Sequence, residues 1–260
     1  MSFFRRIVLC SLLMLPPASG IAEPSDWLPP GSTTEMTGRK PLELFVPGTS
    51  FTDQLVYGRL LFRSPGILGE KAVRIGLSCD SCHTNGHINS RFYIEGLSDK
   101  PGRIDVSHQF WQAGFDDGRN NPLDIPTLRD SAKTAPYGTR VVIADLAGFT
   151  RHVAETEFAS PTLTEPQVQA LTAYMRALAT DGQERGEISY VQLLATPLRN
   201  RDRQAIDLLV DLIRADLGRH VTDDNRLSRI QQITALNELR QKVAAKDYIA
   251  AQSFYLTLTP

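Results

Sequence analysis

The chain has 260 residues, with 28 basic and 29 acidic side chains, a formal charge of −1 and 42% hydrophobic content. That much apolar material builds a packed core and excludes a disordered chain. The near-neutral balance, with no basic block, excludes a nucleic-acid footprint and disfavours anionic membrane surfaces.

Residues 1–22 carry Arg5 and Arg6, an apolar run over 7–15, Pro16 and Pro17, then small residues leading to Gly20 and Ala22. This order of charged, apolar and small segments predicts a secretory signal peptide, and hence a periplasmic or otherwise exported protein. The apolar run is shorter than the roughly 20 residues that span a bilayer, so no integral membrane span is expected once the signal is removed. Losing Arg5 and Arg6 from the 28 basic residues leaves 26 against 29 acidic ones. Cys10 leaves with the signal, and the two remaining cysteines, Cys79 and Cys82, stand two residues apart. An exported protein meets an oxidising compartment, yet this one keeps no distant cysteine for a structural disulfide.

Residues 23–50, rich in Pro, Gly, Ser and Thr, read as an irregular arm. Helical spacing begins near Thr52 with Leu55, Leu60 and Leu61 and ends by Pro65-Gly66. A second short helix is predicted from Ile75 to His83. Residues 84–125 read as a long loop with aromatic punctuation (Phe92, Tyr93, Phe110, Trp111, Phe115), of the kind that wraps a ligand. Pro126 is placed to open a short helical turn through Arg129. Residues 146–158 read as helix. Thr164 caps another from Glu165 to about Ala179, with an apolar stripe of Val168, Leu171, Tyr174, Met175 and Leu178. Composition changes after Gly182. Ile206, Leu209, Val210, Ile213 and Leu217 mark a helix ended by Gly218; Thr222-Asp223 restarts a second with Leu227, Ile230, Leu236, Leu239 and Val243. The division expected is a main unit over 51–182 and a helical appendage, a hairpin, over 183–260.

The chemistry lies in Cys79-Asp80-Ser81-Cys82-His83. Two thiols on one helical turn can add across the two vinyl groups of a haem, and the adjacent histidine then lies under the iron as proximal ligand. A zinc site would ask for a second cysteine pair. A thioredoxin-like pair would sit in a βαβ unit, and a bare dithiol fits an oxidising compartment poorly. The motif therefore predicts one covalent haem c on Cys79 and Cys82, with iron on His83.

Residues 58–83, running from Gly-Arg-Leu-Leu-Phe-Arg-Ser-Pro to Gly-Leu-Ser-Cys-Asp-Ser-Cys-His, resemble the opening of a haem domain in bacterial di-haem cytochrome c peroxidases and MauG-like proteins. So does the run from Ile125 to Gly138, Ile-Pro-Thr-Leu-Arg-Asp-Ser-Ala-Lys-Thr-Ala-Pro-Tyr-Gly, and the helices at 146–153 and 163–178 are similar to those that close such a domain. The resemblance covers roughly 55–180 and implies a mainly α, cytochrome c-like haem domain with long loops, followed by the helical appendage. It departs from the family in having one haem motif where two are usual, and in placing Val153 where the family has a Met or Tyr ligand or pocket residue.

For the sixth iron ligand the chain offers Met36, Met175, His87, His108, His152 and His220. Met175 belongs to a buried stripe, Met36 to the arm and His220 to a helix end; His87 follows the proximal ligand by only four positions. His108, in the long loop, is the distal candidate; its setting, His-Gln-Phe-Trp-Gln, resembles the family's distal-histidine segment. Arg129, Tyr137 and Arg140 resemble family positions close to the haem. The leading expectation is single-electron transfer with a redox partner protein. The alternative is a peroxide-activating enzyme with an open distal site, and a third is a haem-bearing module docked through the appendage.

Overall fold

The computed structural model describes residues 40–139, 142–219 and 221–258. The predicted signal peptide, most of the arm, Met36, Arg140 and His220 lie outside the described residues. The chain is mainly α. Its helices are α1 (Asp53–Phe62), α2 (Gly69–Ile75), α3 (Cys79–Cys82), α4 (Leu146–Arg151), α5 (Glu165–Ala177), α6 (Ala195–Asn200), α7 (Arg203–Arg219), α8 (Arg226–Ala244) and α9 (Tyr248–Leu258). Four two-residue strands form two antiparallel ladders. β1 (Leu44–Phe45) pairs with β4 (Gln183–Glu184), and β2 (Arg103–Ile104) with β3 (Leu123–Asp124).

The first unit is organised by α1 crossing α5. Thr52 starts α1, its Oγ1 accepting the Leu55 N–H at 3.3 Å, and a capping box between Thr164 and Gln167 starts α5. The helices touch closely at Gly58, where a Cβ would lie 1.8 Å from the Ala170 carbonyl oxygen, so no larger residue fits that crossing. Leu61, Phe62, Leu171, Tyr174 and Leu178 pack here with Phe92, Ile104, Trp111 and Phe158 from the segments between the longer helices.

Two local readings change. The helix expected from Ile75 to His83 is broken: Gly76 ends α2 at φ 70°, a left-handed conformation suited to glycine, and α3 restarts from Ser78. The segment 126–129 is not helical, and the short 3₁₀ turn comes later, at Ser131–Lys133. Its backbone is committed elsewhere, since the Pro126 carbonyl faces His83 and the Leu128 N–H donates to the Gly86 carbonyl at 3.0 Å. The long loop is held by buried Asp105. Its carboxylate accepts the Ser107 N–H, the Ser107 hydroxyl and the Asn121 N–H, and its carbonyl accepts the Trp111 indole N–H at 2.9 Å.

Beyond 183 the expected hairpin is a four-helix assembly. α7 continues through Gly218 to Arg219. α8 starts later than Thr222, after Asn225, and leaves Leu227 and Ile230 largely exposed. Leu236, Leu239 and Val243 do bury, against Ile206, Val210 and Ile213 of α7 and Ala251 of α9. Val56 and Leu60 of α1 belong to this second cluster, so α1 serves two cores with opposite faces. Among the described residues no helix is long and apolar enough to cross a membrane.

Candidate haem-attachment site

Ser78 and Ser81 set up the attachment turn. The Ser78 N–H donates to Ser81 Oγ at 3.0 Å, and the two hydroxyls lie 3.3 Å apart. One turn of α3 then carries Cys79 and Cys82, and the His83 N–H closes it on the Cys79 carbonyl at 2.9 Å. Both thiols are free; Cys79 is half-buried and Cys82 buried. Burial pushes the Cys79 thiol up to about 12 and raises Cys82 as well. Neither is a ready thiolate, as a redox-active pair or a zinc ligand would require.

His83 Nδ1 lies 2.8 Å from the Pro126 carbonyl oxygen. An oxygen that can only accept fixes the ring proton on Nδ1, which leaves the Nε2 lone pair for a metal. Surrounding protein holds the imidazole down to about 4, against the pull of Pro126 and Asp80 in the other direction, although one edge of the ring reaches solvent. The ring is therefore neutral at physiological pH, the state an iron ligand needs. Two adjacent thiols and one oriented imidazole nitrogen are the protein donors that a covalent haem requires.

The chain after His83 is tied back to this turn. Asp80 accepts the Asn85 N–H at 2.7 Å, the Thr84 hydroxyl donates to the Asp80 carbonyl, and Asn89 donates from its side chain to the Ser81 carbonyl. His87 Nδ1 meets Thr127 Oγ1 at 3.0 Å, so His83 and His87 are fastened to consecutive residues of one strap.

Behind the turn lies a buried polar network absent from the sequence reading. Arg63 donates to Asn85 Oδ1 at 2.6 Å and to Glu43 at 3.4 Å. Arg59 meets both oxygens of Glu43, at 2.7 to 3.0 Å, and the Tyr174 hydroxyl donates to Glu43 at 2.6 Å. Arg59 also donates to the Tyr190 hydroxyl, which belongs to the C-terminal unit. Burial alone would raise the Glu43 carboxyl, but Arg63 and Arg59 outweigh it and hold the group at about 2. Arg219 of α7 donates to the Arg63 carbonyl and, at 3.1 Å, to the Gly76 carbonyl just ahead of Ser78. Arginines are easy to find in a sequence. That Glu43 would meet two of them has no local signal.

Of the remaining candidates, Tyr137 and His152 share the Phe149 ring, and Met175, Arg129 and His108 make separate contacts. Met175 is buried in the first core. Tyr137 is buried, donates to the Ser131 carbonyl at 2.8 Å and stacks on Phe149. Arg129 donates to the Leu42 carbonyl. Val153 is half-buried against the first core, within a π-helical stretch, His152–Glu157, that extends α4. His152 lies between Phe115 and Phe149, with Nε2 3.5 Å from Glu157. Desolvation pushes the Glu157 carboxyl up to about 7. His108 accepts the Phe110 N–H on Nδ1 at 3.0 Å and lines a pocket with Ile75, Leu77, Ile94, Leu97 and Phe110. Among the described residues no three His, Cys, Asp or Glu side chains converge as a chelating group. No known protein family, curated protein or solved structure matches the chain.

Proposed function

We propose that this chain is an exported c-type cytochrome. It carries one haem on Cys79 and Cys82 with His83 as proximal ligand, in a cytochrome c-like domain related to one haem domain of the di-haem peroxidases and MauG-like proteins. The observation that carries the reading is the His83–Pro126 contact, made one residue after two unpaired thiols on a single turn. A redox-active dithiol has no use for an oriented neutral imidazole at that position. A haem has.

When bound, the haem supplies a one-electron ferric–ferrous couple. The chain's own residues do the rest. Pro126 holds the His83 tautomer, Asp80 and Asn85 fix the turn, and Arg63 places a buried positive charge behind it. The function that follows is single-electron transfer with a redox partner protein. Spectroelectrochemical titration of the purified protein tests this: a reversible one-electron wave is expected, with only slow turnover of hydrogen peroxide. Sustained turnover near the usual enzyme range, about 1–10³ s⁻¹, would overturn it.

One observation favours the second reading, a peroxide-activating enzyme. His152 and Glu157 flank Val153, which cannot ligate, on a π-helical segment of the kind often found at functional sites. A carboxyl held near 7 can pass protons at working pH. A ferric protein that is high-spin and reacts rapidly with peroxide, losing that reaction on Glu157→Gln, would establish this reading in place of the first.

A further inference from the structure

The pocket beside His108 has the size of a small-molecule site and a largely apolar lining. Its volume is about 410 Å³, inside the range of about 300–1,000 Å³ typical of such sites. Ile75, Leu77, Ile94, Leu97 and Phe110 make its walls. Leu77 and Leu97 are core residues that fix the floor, while Ile75 and Phe110 stand at an open rim. The rim is not loose. Lys71 Nζ donates to the Phe110 and Trp111 carbonyls and sits 5.7 Å above the Phe110 ring, and Phe110 packs edge-on against fully buried Trp111.

Two polar groups join these walls, and they are of opposite kinds. His108 Nδ1 is already occupied as acceptor of the Phe110 N–H. The proton of the neutral ring is then on Nε2, which makes that nitrogen a donor. Glu95, an exposed residue, also lines the pocket, and its carboxylate can only accept. A ligand suited to both must accept one hydrogen bond and donate one while keeping the rest of its surface apolar and flat enough to lie against Phe110. A hydrocarbon would use neither group. A carboxylate has no proton to donate to Glu95. A phenolic hydroxyl on an aromatic ring does both jobs with one atom.

We propose that this pocket binds a neutral phenol or hydroquinone of one or two rings, its hydroxyl accepting from His108 Nε2 and donating to Glu95. The pocket opens next to the chain that runs through Leu77 and Ser78 into Cys79, yet binding there requires nothing of the haem.

Calorimetric titration of the purified full chain with 4-methylphenol tests this, with 4-methylbenzoate as the anionic counterpart. Saturable binding of the phenol is expected, with the benzoate at least about tenfold weaker. His108→Leu should weaken phenol binding about tenfold, one hydrogen bond's worth. Ile75→Trp, a change at the exposed rim that leaves the core intact, should abolish it. Absence of saturable phenol binding, tighter binding of the benzoate, or undiminished binding in Ile75→Trp would overturn the proposal. So would conversion of a low-spin ferric spectrum to high spin in His108→Leu, because the ring would then belong to the iron.

Discussion

The two halves of this molecule are held together by different means. Beyond residue 190 the chain is helices with apolar stripes: Ile206, Val210 and Ile213 of α7 close on Leu236, Leu239 and Val243 of α8 and on Ala251 of α9. The first unit instead spends more than forty residues, 84–125, in loops fastened by buried polar groups such as Asn89, Asp105 and Ser107. Loops of that length need their backbone groups satisfied one at a time, and side-chain carboxylates and amides do it here. A helical half can settle its fold by burial alone. The first half depends instead on single polar contacts that tie irregular backbone together, several of them to the turn at Cys79–His83.

The largest effect that sharpens this contrast should come from Glu43. Glu43→Gln leaves Arg59 and Arg63 buried with no carboxylate, which typically costs about 3–5 kcal/mol. The loss should appear in chemical denaturation of the whole chain. The same group sets a pH dependence. Its folded value, about 2, lies below the ordinary 4.5, so its contribution is present above about 4.5 and is lost as pH falls toward 2. Glu43→Gln should flatten the acid limb of the stability curve. An unchanged limb would assign acid unfolding to other carboxylates.

Leu60→Ala comes next. Leu60 is 1% exposed and sits on the face of α1 that belongs to the C-terminal core, so a loss of about 2–5 kcal/mol is expected. Hydrogen exchange should show protection falling in both α5 and α7, because α1 is shared. If only α7 responds, the halves are independent and the comparison becomes a boundary. By the same argument a chain ending at Gly182 should expose Val56 and Leu60 and fold less stably than the full protein.

The smallest effect is expected at Glu157. Its folded value, near 7, lies above the ordinary 4.5, so ionisation in the folded state costs stability as pH rises from 4.5 through 7. Glu157→Gln should therefore stabilise the protein by about 1–3 kcal/mol at pH 8 and hardly at all at pH 4, as measured by urea midpoints. A stabilisation equal at both pH values would assign the effect to packing instead.

What could be read from the sequence was whatever is written locally. Thr164 announces its helix by a cap, α1 and α7 show themselves by their apolar spacing, and the Cys-X-X-Cys-His turn by its five residues. Other features escaped for physical reasons. Leu227 and Ile230 continue the α8 pattern in the sequence, but the facing helix no longer covers them, so they stay exposed. α9 is apolar nearly all round, Tyr-Ile-Ala-Ala-Gln-Ser-Phe-Tyr-Leu-Thr-Leu, and shows no face to a periodicity test. Gly76 can sit inside a helix or end one, and only tertiary packing decides. Pro126 was legible as a local start signal, whereas its decisive feature is a carbonyl aimed at a histidine 43 positions earlier.

The proposed haem is held covalently at one turn. The most direct test is acid–acetone extraction of the purified protein, followed by haem staining after denaturing electrophoresis. The wild-type polypeptide should keep its haem through both steps, Cys79→Ala and Cys82→Ala should each weaken that retention, and the double variant should run unstained. Extractable haem in the wild type, or a stained band in the double variant, would contradict the account.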